Sequence, residues 1–216
     1  MTKLNAVPFD QKEYWESRFE REKHFEWLLT WDSIKHVIEP YIKEHQDILH
    51  LGCGNSELAF QMADSGHSNS IVNVDYAGNV IEYMKQVTQE RHNPAYANIS
   101  WITADCLNQL KSYLPQAEYE ILIDKSLSDT IACGDDDKQT RVKTLSKELL
   151  SVAKPGAFWF SISFSGEREF YVEEPNAAAY WKTVEKLPVE VHQPNDKPGA
   201  PAIYYFVYIN QKITLL

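Results

Sequence analysis

Residues 47–58, DILHLGCGNSEL, constrain this chain more than any other stretch. Residues 48–51 read as a short apolar strand, and Gly52 and Gly54 permit a tight turn with close backbone approach. Asn55 or Ser56 can cap the helix that follows. A strand entering a helix through a glycine turn is the start of a βαβ unit, and open α/β sheets bind ligands at the carboxyl ends of their strands, where such turns lie. The downstream pattern continues the alternation. A helix over 56–65 ends at Gly66, a strand follows at 71–74 and a long helix at 80–91. Strands are expected at 99–103 and 120–123, with a short helix near 107–113 between them. A helix over 138–153 is stopped by Pro155-Gly156, and a fifth strand covers 157–164. This rhythm predicts an α/β fold with a doubly wound, mostly parallel sheet. Strand-like residues at 187–192 and 203–209, separated by a Pro- and Gly-rich loop over 194–201, predict a C-terminal antiparallel hairpin.

The N-terminal region differs. Residues 11–22, QKEYWESRFERE, place Tyr14, Trp15, Arg18 and Phe19 at i, i+1, i+4 and i+5, a helix with one aromatic face. A second helix is expected over 32–44, capped by Asp32 or Ser33, with Ile34, Val37, Ile38, Tyr41 and Ile42 inward and Pro40 bending or breaking it. The 216 residues are expected to form one domain, with a helical cap over 1–45, a core over 46–165 and a hairpin region over 166–216.

Composition narrows the function. With 31 acidic and 21 basic residues the net charge is −10, which argues against nucleic acid as the main partner. Apolar runs are too short to span a membrane, and the first residues lack a signal-peptide core. A cytoplasmic monomer is expected. Cys53, Cys106 and Cys133 form neither a disulfide framework nor a CxxC site, and the seven histidines show no ligand spacing, so no metal is expected.

Asp75, at the end of the second strand, lies 21 residues beyond Gly54. A carboxylate there can accept hydrogen bonds from both hydroxyls of a ribose. NAD and S-adenosylmethionine both carry that ribose, so Asp75 alone does not separate them. Residue 57 does. The dinucleotide fingerprint GxGxxG requires glycine there, and this chain has Glu57, which repels a pyrophosphate. S-adenosylmethionine has no phosphate and carries an ammonium and a sulfonium, so the sequence favours it. Asp105-Cys106 follows the third strand, where the acid can accept from an adenine amino group and the next backbone N–H can reach a ring nitrogen. Alternatively, Asp105 is a helix N-cap. Asp124-Lys125 ends the fourth strand, either as an exposed ion pair or as functional groups facing the same crevice.

LHLGCGNSEL, IVNVDYAGNVIEYMK, TADCLNQL and ILIDKSLSDTI, with EYWESRFE and FEW upstream, resemble seven-strand methyltransferases of the eukaryotic methyltransferase-like group over most of residues 13–165. Members of that group methylate translation elongation factor 1-alpha. The resemblance implies a seven-stranded Rossmann-like sheet. It also implies cofactor contacts from Trp15, Phe19, Trp27, Gly52, Asp75, Tyr76, Asp105, Cys106 and Lys125, to which the close backbone approach of the glycine turn adds Gly54. Aromatic faces can enclose the positive sulfur by cation–π contact. Relatives usually read DKGTLD where this chain has DKSLSD, so the acceptor entrance is expected to differ. The implied activity is methyl transfer from S-adenosylmethionine to a lysine or N-terminus of a protein partner such as elongation factor 1-alpha. Asp124 is the candidate to orient or deprotonate the amine, and the acidic run at 135–137 can attract a basic surface. The alternatives are a small-molecule N-, O- or S-methyltransferase and a non-catalytic cofactor-binding module.

Overall fold

In the computed structural model, which describes residues 7–67, 69–134, 139–168, 170, 177–191 and 201–215, strands and helices alternate through the middle of the chain. Two helices, α1 (Lys12–Arg21) and α2 (Trp31–Ile38), precede β1 (Asp47–Leu51). Then come α3 (Leu58–Asp64), β2 (Ser70–Asp75), α4 (Gly78–Glu90), β3 (Ile99–Thr103), β4 (Tyr119–Lys125), α5 (Leu127–Cys133), α6 (Thr140–Val152) and β5 (Ala153–Ser163). The long strands β6 (Ala179–Val191) and β7 (Ile203–Thr214) complete the order.

The sheet order is β3-β2-β1-β4-β5-β7-β6. The first five strands pair in parallel, and β7 joins antiparallel to both β5 and β6. This is the mostly parallel, doubly wound, seven-stranded sheet with a C-terminal hairpin that the pattern predicts. Strand alternation divides the core. Ile48, Ile71, Ile121 and Phe160 pack on the face that carries α1 to α4, while Leu49, Val72, Leu122 and Trp159 pack against α6 and Trp181. Both faces are covered, which is why the parallel strands read as nearly continuous apolar runs. The order reverses between β1 and its neighbours β2 and β4, so a crevice opens at their carboxyl ends.

Several boundaries differ from expectation. The second helix stops at Ile38 and passes into a 3-10 turn, Glu39–Tyr41, because Pro40 cannot donate to the helical ladder. The helix α5 is absent from the periodicity reading, since its seven residues are too few to show a face. Pro155-Gly156 does not precede β5 but lies within it. Register jumps from Tyr119↔Ala153 to Ile121↔Phe158, so these exposed residues bulge from the strand, with Gly156 at φ +75°. The hairpin strands are longer than expected, and part of the loop at 194–201 lies outside the described residues. Among the described residues, no helix is long and apolar enough to cross a membrane.

Candidate active site

The site is built where β1 and β2 end. Gly52 (φ +58°) turns the chain tightly beneath α5. A Cβ on it would stand 2.9 Å from Cβ of Leu127, so only glycine fits. Asp75, the last residue of β2, is buried against this turn. Its Oδ2 accepts from the Gly54 N–H at 3.0 Å and its Oδ1 from the Ala77 N–H at 2.9 Å. Each carboxylate oxygen keeps a second lone pair, enough for one further donor each. Burial raises the Asp75 carboxyl to about 6, opposed by the backbone N–H groups of Ala77, Gly54 and Tyr76.

A single cavity spans the carboxyl ends of β1 to β4, and all ten residues expected to contact a cofactor line it. Gly52, Gly54 and Asp75 form its floor. Tyr76, Asp105 and Cys106 border it beyond β2 and β3, and Lys125 borders it beyond β4. Asp105 also caps locally, with Oδ1 accepting from the Leu107 N–H at 2.8 Å. The two readings of this residue are therefore compatible, because the exposed carboxylate has further acceptor sites. Burial pushes the Cys106 thiol and the Tyr76 phenol upward, so both are neutral.

The aromatic wall comes from the N-terminal cap. Trp15 and Phe19 of α1 are buried with ring centroids 5.7 Å apart, and Trp27 meets Trp15 edge-on at 5.9 Å. The Trp15 indole N–H donates to the Phe9 carbonyl at 2.7 Å, which sets the ring's orientation. Arg18 lies over Trp27 at 4.9 Å and over Trp15 at 5.6 Å. These rings already carry one cation.

Lys125 lines the cavity, but its ammonium is committed. It donates to the Trp27 carbonyl at 3.0 Å and pairs with Glu26, its side chain only 3% exposed. Burial lowers its pKa to about 7. Glu26 also accepts from Ser56 Oγ at 2.8 Å and from the Glu57 N–H at 3.1 Å, and Asn55 Nδ2 donates to the Glu22 carbonyl at 2.9 Å. The segment between α1 and α2 is thus a strap stitched to the glycine turn on one side and to β4 on the other. Its carboxylate occupies the start of α3, where a dinucleotide fold holds pyrophosphate. Glu57 itself points away and forms a bidentate pair with Arg91, both contacts at 2.7 Å. The Glu26 carboxylate thus takes the helix-start N–H that a phosphate would need, which disfavours a phosphate cofactor.

Asp124 lies outside the cavity lining. It is fully buried, accepting from the Ser128 N–H at 3.1 Å and from the Trp159 indole N–H at 2.8 Å. Burial raises its carboxyl to about 6. These contacts tie β4 to α5 and β5, so the structure does not bring Asp124 together with the other expected site residues. The acidic run at 135–137 lies outside the described residues.

Ser126, which borders the cavity, holds φ +69°. The DKGTLD pattern of the resembling group has glycine at this place, and glycine adopts that backbone freely. Ser126→Gly is therefore expected to stabilise the fold by about 1 kcal/mol, seen as a melting temperature about 2–4 °C higher. A lower melting temperature would show that the serine hydroxyl compensates for the strained backbone.

The sequence reading missed several lining residues. Asp10 and Arg141 pair across the cavity edge at 3.2 Å, and Phe9 and Phe25 extend the aromatic wall. The buried His50 of β1 also lines it. Its signal was available, as a polar residue between Leu49 and Leu51 in a strand covered on both faces.

Comparison with known proteins gives the family and the fold. Residues 42–198 match a family described as a methyltransferase domain. Methyltransferase srdJ of Neurospora crassa is 28% identical over 206 residues, covering 93% of this chain and 83% of that protein. The human eEF1A lysine and N-terminal methyltransferase is 31% identical over 170 residues, covering 75% of this chain but 23% of that protein. This chain therefore spans about a quarter of that relative's length. A SAM-dependent methyltransferase structure from Methanosarcina mazei shares the fold with a TM-score of 0.58, at 15% identity over 83% of this chain and 98% of that one.

Proposed function

The chain belongs to the methyltransferase-domain family and is an S-adenosylmethionine-dependent methyltransferase; from that premise we propose that it methylates a protein amine, a lysine side chain or N-terminus of an elongation-factor-type protein. The observation that carries this reading is the 31% identity over 170 residues to proteins named for eEF1A lysine and N-terminal methylation. A net charge of −10 also suits a basic partner surface.

In this reading Asp75 accepts from the two ribose hydroxyls through its remaining lone pairs. Asp105 and the Cys106 backbone meet the adenine, with Tyr76 beside them. Gly52 and Gly54 allow the ligand to lie against the backbone, and Trp15, Phe19 and Trp27 enclose the methionine portion. Lys125 acts indirectly, by holding the strap that carries Trp27. When bound, S-adenosylmethionine supplies a methyl group activated by positive sulfur. The residues then have to orient the acceptor, and orientation alone accounts for roughly 7–11 kcal/mol in well-aligned reactions. A lysine acceptor must first lose a proton, which at neutral pH costs about 4–5 kcal/mol. Loss of water around the amine on entering the cavity reduces that cost, since desolvation disfavours the charged form.

A second reading is a small-molecule acceptor, since a relative that matches this chain over most of both lengths is named only as a methyltransferase, with no protein substrate in its name. Transfer of label from methyl-tritiated S-adenosylmethionine into a eukaryotic extract separates the two. One labelled protein band is expected, at the mobility of elongation factor 1-alpha. Label confined to small molecules would overturn the protein reading.

A further inference from the structure

His50 combines three properties that no role described above requires. It is buried, it borders the cavity, and its Nε2 has no hydrogen-bond partner among the described residues. Its Nδ1 lies 2.8 Å from Asn73 Oδ1 on the neighbouring strand β2. The Asn73 amide nitrogen donates to the Ser100 carbonyl at 3.2 Å, so Oδ1 is the acceptor and His50 Nδ1 carries the proton. Nε2 is then a bare lone pair, on the side of the ring away from β2. Burial keeps the ring neutral, lowering its pKa to about 4. A buried acceptor left unmet costs about 1–3 kcal/mol, so its place at a cavity wall points to a donor supplied by the ligand.

S-adenosylmethionine brings three kinds of donor: the adenine amino group, the ribose hydroxyls and the α-ammonium. Asp105 and Asp75 stand at the ends of β3 and β2 for the first two. The other nearby acids already have their charge matched by a cation, Glu26 by Lys125 beside the cavity and Asp10 by Arg141 at its edge. We propose that His50 Nε2, held in one tautomer by Asn73, accepts a hydrogen bond from the α-ammonium of the cofactor and so selects for its amino-acid end. The proposal rests on the S-adenosylmethionine reading of the cavity. It makes His50 a binding residue that reads a part of the ligand remote from the ribose.

Calorimetry with two ligands tests it, S-adenosylhomocysteine, which carries the amino acid, and 5′-methylthioadenosine, which lacks it. His50→Leu is expected to weaken the first by about tenfold or more and to leave the second unchanged. His50→Gln, which restores an acceptor, is expected to recover most of the loss. Equal weakening of both ligands, or no weakening of the first, would overturn the proposal. Should His50→Leu not fold, wild-type protein labelled with nitrogen-15 histidine gives the same answer. The His50 Nε2 resonance should shift with S-adenosylhomocysteine and stay in place with 5′-methylthioadenosine, and an unmoved resonance with both overturns the idea. Wild-type protein that binds neither ligand would instead remove the cofactor reading, and this proposal with it.

Discussion

Asp75→Ala is expected to lower S-adenosylhomocysteine affinity by a factor of about 10²–10⁴, the loss of two charge-assisted hydrogen bonds at roughly 1.5–3 kcal/mol each. Isothermal calorimetry measures this directly, and an unchanged dissociation constant would refute the ribose assignment. The carboxyl also makes a pH signature. Its folded-state pKa of about 6 lies above the ordinary value of 3.8 because burial disfavours the charge. Between those values the native state holds more protons than the unfolded chain, so the Asp75 contribution to stability is full below about 4 and falls as pH rises through 6. Ligand binding has the opposite sense, because the ionised form is the better acceptor. Wild-type affinity should therefore weaken as pH falls from 7 to 5, and Asp75→Ala should abolish that slope. Lys125, lowered by burial to about 7, is present in both proteins and cancels from the comparison.

Glu26→Ala is expected to cost about 3–5 kcal/mol of stability, because it leaves the buried Lys125 ammonium without its anion. For a chain of this size that corresponds to a melting temperature lower by roughly 10 °C. It also removes the acceptor for Ser56 Oγ and the Glu57 N–H, so the strap detaches at both anchors and cofactor affinity falls with it. Adding Lys125→Met should restore most of the loss, since a neutral side chain of similar length needs no anion. A double-mutant cycle decides the point. Additive effects would mean that the two residues do not act as a latch.

The glycine turn, Asp75 and the strand–helix rhythm were legible because each is local, resting on a few consecutive residues whose backbone or burial demands are distinctive. Of the ten expected residues, Gly52, Gly54, Asp75, Asp105, Cys106 and Lys125 could be named from strand-end motifs, while Trp15, Phe19, Trp27 and Tyr76 came from the resemblance. Asp124 shows the limit of that method. Its position at a strand end beside Lys125 suggested the crevice, yet the contacts that hold it, to Trp159 on β5 and Ser128 on α5, depend on tertiary packing. Alternation along β4 sends successive side chains to opposite faces, and Asp124 takes the face away from the cavity. The strap was invisible for a related reason. Residues 22–30 have no helical or strand period, and Glu26 acquires meaning through Lys125, which is remote in sequence. The Glu57 argument against a dinucleotide reached a sound exclusion through the wrong carboxylate, since Glu26 occupies the start of α3 and Glu57 turns to Arg91.

The strap's hydrogen bonds span very different chain lengths, 30 and 31 residues to the glycine turn and 98 residues to Lys125. Closing the longer loop costs about 1 kcal/mol more in chain entropy than closing the shorter one. The Lys125 anchor also cannot exist until β4 has taken its place beside β1. The cavity wall is thus among the last parts of the molecule to assemble, although it comes from the earliest described residues. In reverse, it is expected to open before the sheet does, which amide exchange of residues 22–30 against β1 to β5 would show.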